Sequence, residues 1–343
     1  MKKEPQVKLP PFKVENVMAS LSQVIDWGLT QSKVPDTWRV TQGEGVTVYV
    51  LDSGGTDHPD LKNNVAGSKS FVAESVEDKN GHSTHCAGII CAENNAGGMV
   101  GVAPKAKVVL FKVLTNNGSG PLSSVVNALN FCIEINQGQH PEFPKVDVIS
   151  MSLGAGMGIS QMETALNKLK EMNIPVVCAA GNDGARGISF PAKYDSTIAI
   201  GAHDKYKRIA NFSNYGPSVD FVAPGVDIYS TYPNRRYAKL SGTSMATPFV
   251  SGIIALMLSK HAKQEKETGK NDCKTVDQII EHLIKYSIDN GPAGKDEKWG
   301  NGIIDVRKLI VNHSESGAPV PRDIPKRKIK QGFFSRLFRW MFG

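Results

Sequence analysis

A carboxylate, an imidazole and a hydroxyl each stand in this chain where a strand ends or a helix begins. Asp52 closes the apolar, β-branched run 46–51 and is followed by Ser53 and Gly54. A carboxylate so placed lies at the edge of a sheet, where active sites collect. Taken alone it reads first as a turn or helix-cap residue. His82 sits among small residues in 80–88 (NGHSTHCAG), which let a helix start with the imidazole at its mouth. His85, three residues on, suggests a metal pair, but no third ligand of suitable type is near, and a lone histidine is usually structural. Ser244 lies in 240–248 (LSGTSMATP), ahead of a small-residue, apolar helix running to Leu258. Backbone N–H groups at that helix start would steady a developing negative charge. The plain alternative is a capping serine; Pro248 and the crowding of small residues argue for something tighter. The three side-chain types together are the parts of a nucleophilic acyl-transfer site.

Positioning them requires a sheet. Apolar runs at 46–51, 107–113, 147–151, 174–179 and 197–200 alternate with helical spacings at 122–135 and 161–172. Such near-continuous strands separated by helices imply a parallel α/β sheet covered on both faces. Residues 195–237 read as turn-rich, 261–274 as a polar surface loop, and 275–286 as the final helix. The 343 residues, 40% hydrophobic and 21% charged, exclude a wholly disordered chain. No apolar run approaches the roughly 20 residues of a membrane span. The net charge of +7 is mild, and much of it falls near the C-terminus. Five scattered cysteines suit reduced, buried thiols in a cytosol. The start of the chain has basic residues but no apolar signal core, so no secretion signal is expected.

The three segments together resemble the subtilisin-like serine proteases, the subtilases, closest in character to the intracellular ones. Asp52, His82 and Ser244 follow the family's chain order. Their surroundings match its D-[ST]-G, H-G-T-H-x-A-G and G-T-S-M-A-x-P blocks. The likeness covers about 27–310, through 101–104 (GVAP), 150–154 (SMSLG), 179–182 (AAGN) and 299–305 (WGNGIID). It implies a three-layer α/β fold with a mainly parallel sheet, and a serine endopeptidase. By resemblance Ser244 is the nucleophile, His82 the base, Asp52 its orienting carboxylate and Asn182 the side-chain donor to the oxyanion. It also implies that Ser152, Leu153 and Gly154 pair with substrate on one side and Leu114 to Gly118 on the other, by strand addition. Unfolded or flexible polypeptides are the expected substrates. A catalytically silent, peptide-binding or membrane-associated scaffold is the rival reading. A serine esterase is disfavoured because Ser244 is not in a G-x-S-x-G elbow.

Ser83 replaces the family's glycine after the histidine, and the loops 53–60 and 184–190 are short. Cys86, one helical turn beyond His82, reads as a small core residue. Residues 93–99 (ENNAGGM) resemble the family's calcium loop, which implies Ca²⁺ held by Asp60, Asn95 and the carbonyls of Glu93, Gly97 and Met99. An ordinary Asn/Gly turn is the alternative. A second cation site near Ala192 and Asp204 is a weaker expectation. Residues 1–26 are expected to form an N-terminal extension. Its proline-stiffened 7–12 (VKLPPF) resembles the inhibitory Leu-x-Pro-aromatic motif of intracellular subtilisins. A surface-packed arm is the plain alternative. The peptidase domain is expected over 27–311, a Ser/Gly/Pro-rich linker over 312–325, and a basic, aromatic helix over 326–343. That last segment suits an anionic membrane surface or a docking partner. Nucleic-acid binding is disfavoured for lack of a wider basic surface. The expected location is the cytoplasm.

Overall fold

The computed structural model describes residues 4–18 and 22–311. The expected linker at 312–325 and helical tail at 326–343 lie outside them.

In chain order the strands are β1 (Gln6–Lys8), β2 (Lys13–Met18), β3 (Thr47–Asp52), β4 (Val65–Ser70), β5 (Lys107–Lys112), β6 (Ser119–Pro121) and β7 (Val148–Met151). They continue with β8 (Val176–Ala179), β9 (Ile198–His203), β10 (Phe221–Pro224), β11 (Ile228–Tyr232), β12 (Arg236–Ser241), β13 (Ser287–Ile288) and β14 (Ile303–Ile304). The helices are α1 (Trp27–Gln31), α2 (His82–Cys91), α3 (Leu122–Asn136), α4 (Ser160–Glu171), α5 (Thr243–Thr268), α6 (Val276–Lys285) and α7 (Val306–Val311).

Nine strands form one sheet in the order β13-β14-β10-β9-β8-β7-β3-β5-β4, and only the β13–β14 pair is antiparallel. Alternate residues serve two cores. Val48 and Val50 of β3 and Val108 and Leu110 of β5 pack on one face with α2 and α5. Tyr49, Leu51, Val109 and Phe111 pack on the other with α3 and α4. Because both faces are covered, the strands carry apolar residues without the alternation of a half-exposed sheet. This is the three-layer architecture the resemblance implied. The five cysteines are all free and buried.

Three expectations from the sequence change. α5 does not stop at Leu258: it runs on to Thr268, and the expected loop shrinks to the residues after Gly269. Residues 262–267 are Ala, Lys, Gln and Glu, strong helix formers, and Gly269 ends the helix at φ 73°. α6 is not the last helix, since α7 follows it. The turn-rich stretch 195–237 also holds β10 and β11, short buried strands that composition hides.

Candidate active site

Parallel strands deliver their C-terminal ends to one edge of the sheet, and the site assembles there. Asp52 is the last residue of β3 and His82 the first of α2; both are 0% exposed. His82 Nδ1 lies 2.9 Å from each oxygen of Asp52. A second carboxylate holds the turn that presents this histidine. Asp78 accepts the N–H groups of Asn80, Gly81 and Thr84 and the hydroxyls of Ser53 and Thr84. Gly81 takes φ +97°, and a Cβ there would meet the Tyr232 ring at 2.5 Å. Ser83, the departure from the family's glycine, fits without displacing the helix, its N–H donating to Ser53 Oγ at 3.0 Å. Lys112, also fully buried, donates to the Ser53 and Glu77 carbonyls and to Asn116 Oδ1. Asp78 and Lys112 escaped the sequence reading because no local pattern marks them.

Burial by itself would drive the His82 pKa down. The Asp52 carboxylate against Nδ1 more than offsets that, and the pKa lies well above the ordinary 6.5. His85, by contrast, is buried without an acidic partner and its pKa falls to about 3. Its Nε2–H faces the Ile228 and Ala238 carbonyls at 3.0 and 3.1 Å. That makes it a neutral structural residue, and the His82/His85 spacing is not a metal pair.

Ser244 is the second residue of α5. Pro248, four residues on, has no N–H to give the Ser244 carbonyl. Ser152 Oγ donates to that carbonyl instead, at 2.9 Å. Ser244 Oγ returns a bond to the Ser152 carbonyl at 3.3 Å. The hydroxyl thus bonds the Ser152 carbonyl and not His82, whose Nε2 has no hydrogen-bond partner among the described residues. Asn182 follows β8. Its Oδ1 accepts the N–H and the hydroxyl of Thr243 at 2.9 and 2.8 Å, which fixes the amide and aims Nδ2 into the cleft. There Nδ2 donates to the Pro11 carbonyl at 2.9 Å.

The N-terminal segment fills the cleft. β1 pairs antiparallel with β6 in the register Val7↔Gly120. On its other side Lys8 and Gly154 exchange two bonds, of 3.0 and 2.9 Å. Leu9 N–H donates to the Gly118 carbonyl at 2.9 Å. The Phe12 ring lies 4.9 Å from that of His82. β2 then pairs with β12, just ahead of Ser244. Of the residues expected to pair with substrate, Gly154 is paired with Lys8 of the N-terminal segment, with Ser152 and Leu153 leading to it. On the opposite wall Gly118 accepts the Leu9 N–H and the pairing continues through Ser119–Pro121, while residues 115–118 form a turn and Leu114 is buried in the core. The turn wins because Thr115 and Gly118 bond each other locally. A cavity of about 260 Å³ remains beside the segment, lined by Pro10, Gly154, Ala155, Gly156, Gly181 and Ser189 among others.

The sequence pattern of the subtilase family matches residues 43–302. This chain belongs to the subtilase family. It is 38% identical over 307 residues to the thermostable alkaline protease of Halalkalibacterium halodurans, covering 89% of this chain and 78% of that one. It is 35% identical over 303 residues to the major intracellular serine protease of Bacillus subtilis, covering 84% and 92%. Subtilisin Savinase of Lederbergia lenta shares 42% over 288 residues, covering 83% and 98%. This subtilase is a serine endopeptidase, and polypeptides are its substrates.

At the expected calcium loop the subtilase gathers oxygen atoms from four parts of the chain. Asp60 Oδ2 accepts the Met99 N–H at 2.8 Å and the Tyr237 hydroxyl at 2.9 Å; Asp60 Oδ1 accepts from Asn95 at 3.3 Å. Gln23 reaches the Glu93 and Met99 carbonyls at 2.9 and 3.5 Å. Glu93 itself turns its carboxylate outward to Asn63. Gln23 was invisible in the sequence, being far from the loop it covers. Gln23 N–H and Val24 N–H also bond the Ala96 and Gly98 carbonyls. Residues 23–26 thus belong with the body, and the extension ends before Gln23 rather than at Asp26. The second cation expectation fares differently: Asp204 is engaged by Arg208, at 2.6 Å.

Proposed function

We propose that this subtilase cleaves peptide bonds with Ser244 as nucleophile, His82 as general base and then acid, and Asp52 as the carboxylate that holds the imidazole. The buried Asp52–His82 pair, beside a serine on the first turn of a helix, carries this reading. A rotation of the Ser244 side chain brings Oγ from the Ser152 carbonyl to the unpartnered His82 Nε2, which takes its proton as Oγ attacks. The oxyanion is met by Asn182 Nδ2 and the Ser244 N–H. His82 then protonates the leaving amine, and water repeats the sequence on the acyl-enzyme. A fluorophosphonate should add one phosphonyl group per chain, on Ser244; labelling elsewhere, or none on protein freed of residues 1–18, would reject the assignment. Asn182→Ala should lower kcat by about 10²–10³, a magnitude borrowed from the same donor in a subtilisin, with KM little changed.

The pH dependence has a definite sign. Only neutral His82 can accept the serine proton. Because Asp52 raises the pKa, the ascending limb of kcat/KM should lie above pH 6.5, the ordinary histidine value. Asp52→Asn should move that limb to lower pH. A limb that stays put in this variant would show that another group controls it.

The extension is proposed as an inhibitor removed by the enzyme itself. The ladder register that pairs Lys8 with Gly154 sets Pro10 opposite Ser152. An ordinary residue there would give its N–H to the Ser152 carbonyl; proline has none. That carbonyl is left to accept the Ser244 hydroxyl, which engages the nucleophile in a bond other than the one to His82. The segment thus occupies the cleft as a substrate would, yet disarms the serine.

Calcium is proposed at the loop 93–99. The set fits a hard cation: Asp60, Asn95, Gln23 and the carbonyls of Glu93, Gly97 and Met99 are all oxygen donors. Gly98 shapes the cradle, since at φ +59° a Cβ would meet Asp60 Oδ2 and the Tyr237 hydroxyl at 2.0 Å each. Bound there, Ca²⁺ would supply structural charge balance for Asp60. Chelation should lower the Tm of the full chain. Gly98→Ala should lower it without chelator and abolish the further effect of chelation; an unchanged chelator response would place the ion elsewhere.

A cytoplasmic setting is supported by the relatives named as intracellular, from Bacillus subtilis and Paenibacillus polymyxa. No helix among the described residues is long and apolar enough to cross a membrane. For the tail 326–343, attachment to an anionic membrane surface rests on its sequence pattern alone. Co-sedimentation with anionic vesicles, lost on removing that segment, is the test.

A further inference from the structure

The unexpected length of α5 brings together four metal-ligating side chains far from the catalytic centre. His261 lies near the C-terminal end of α5, seventeen residues after Ser244, or about 25 Å along a helix. Past Gly269 the chain reverses, and Asp272, Cys273 and the α6 residue His282 come to face it. One ligand atom from each of the four lies within 4.8 Å of the others. His261 is 5% exposed and Cys273 3%. Asp272 Oδ1 is 2.8 Å from His261 Nδ1, and Asp272 Oδ2 is 3.3 Å from His282 Nε2. His261 Nδ1 nevertheless makes no well-aligned hydrogen bond. Two polar atoms this close but unaligned have the arrangement of lone pairs converging on a third atom.

We propose that His261, Asp272, Cys273 and His282 form a closed, tetrahedral Zn²⁺ site that clasps the end of α5 to α6. The donor set suits zinc, since one thiolate, two imidazoles and one carboxylate are the ligands of a borderline-soft ion and not of Ca²⁺ or Mg²⁺. Both imidazoles are prepared. His282 Nδ1 faces the Gln278 carbonyl at 3.0 Å, the outer bond that leaves Nε2 free for metal. His261 Nδ1 is the nitrogen without an aligned partner, and it faces Asp272 Oδ1 at 2.8 Å. The loop is pre-shaped. Asn271 bonds Glu265 and receives the Cys273 N–H, Lys274 pairs with Glu265, and Thr275 caps α6 in a reciprocal box with Gln278. The neighbouring cation, Lys260, is tied to the Leu309 carbonyl. Asp272, with its side chain 65% exposed, gives the ion its way in.

Binding balances simply. The Cys273 S–H proton leaves to solvent, and one Zn²⁺ meets one thiolate and one carboxylate for zero net charge. Zinc bond lengths of about 2.0–2.3 Å require ligand atoms roughly 3.3–3.8 Å apart. The longest present separation has to close by about 1 Å, and the shortest to open by about half that.

The test uses full-length Ser244→Ala protein, to prevent self-digestion, stripped by chelator and then held in excess Ca²⁺ to fill oxygen-only sites. Co²⁺ should bind one per chain, with a thiolate-to-cobalt charge-transfer band and tetrahedral d–d absorption, and Zn²⁺ should displace it. Cys273→Ser should abolish the charge-transfer band. Asp272→Ala, at an exposed side chain that the fold tolerates, should weaken Co²⁺ by at least ~10-fold and cancel the zinc-dependent rise in Tm. Cys86→Ser serves as the control, because Cys86 lies with Asp52 and His82 in a second such group. A band lost in Cys86→Ser and kept in Cys273→Ser would overturn the proposal. So would the absence of any thiolate band.

Discussion

Replacing Ser244 by alanine should lower kcat on casein by about 10⁶-fold, the size of loss known for the nucleophile of a subtilisin, and leave the fold intact. The two halves of this expectation have different origins. Catalysis collapses because the neighbouring hydroxyl at the start of α5, that of Thr243, is committed to Asn182 Oδ1. Stability survives because Ser244 Oγ makes a single bond, the 3.3 Å contact to the Ser152 carbonyl. Losing one such bond costs about 1 kcal/mol. The reciprocal contact, from Ser152 Oγ to the Ser244 carbonyl, uses backbone and is untouched. Intact mass adds a second reading. Wild-type protein should lose its N-terminal segment on standing while Ser244→Ala retains it. Retention by both would mean that the extension is removed by another protease. Casein hydrolysis above about 1% of wild type in pure Ser244→Ala would sink the assignment of the nucleophile.

Deleting residues 1–18 should raise activity by about 10³-fold relative to full-length protein in which the segment is retained. A segment tethered beside its own cleft acts at an effective concentration of order millimolar. If its contacts hold with an intrinsic affinity near micromolar, the cleft is free about one part in 10³. The cut must spare Gln23, or loss of its bonds to the Glu93 and Met99 carbonyls would mask the gain. A single change tests the same idea more gently. Leu9 is 8% exposed and lies against Gly118. Leu9→Asp forfeits about 2 kcal/mol of apolar burial, so full-length activity should rise about 30-fold. A shortened protein no faster than the full chain, with calcium present in both, would show that the segment is a surface arm and no inhibitor.

The sequence alone determined which side chains the chemistry can use. Asp52, His82 and Ser244 are ambiguous one by one, and it is the resemblance of their blocks and that of Asn182 to the subtilases that singles them out. The sheet was legible for a different reason. Strands buried on both faces are apolar throughout, and helices carry their own period. The N-terminal segment 7–12 was singled out by its prolines and its resemblance to an inhibitory motif.

Tertiary structure decided what lies opposite what. Composition could not say that the wall across from Gly154 runs from Gly118 through Pro121, since Leu114 is apolar for the core. It could not say that Asp78 and Lys112 brace the catalytic turn, or that Gln23 covers the carbonyls of Glu93 and Met99. The polar run after Leu258 read as a loop because polarity was weighed above helix propensity; as helix it delivers His261 to Asp272, Cys273 and His282. In each case the partners are distant in the chain, and their meeting depends on where strand ends converge and helices stop. Local periodicity carries the first kind of information, and only the packed sheet carries the second.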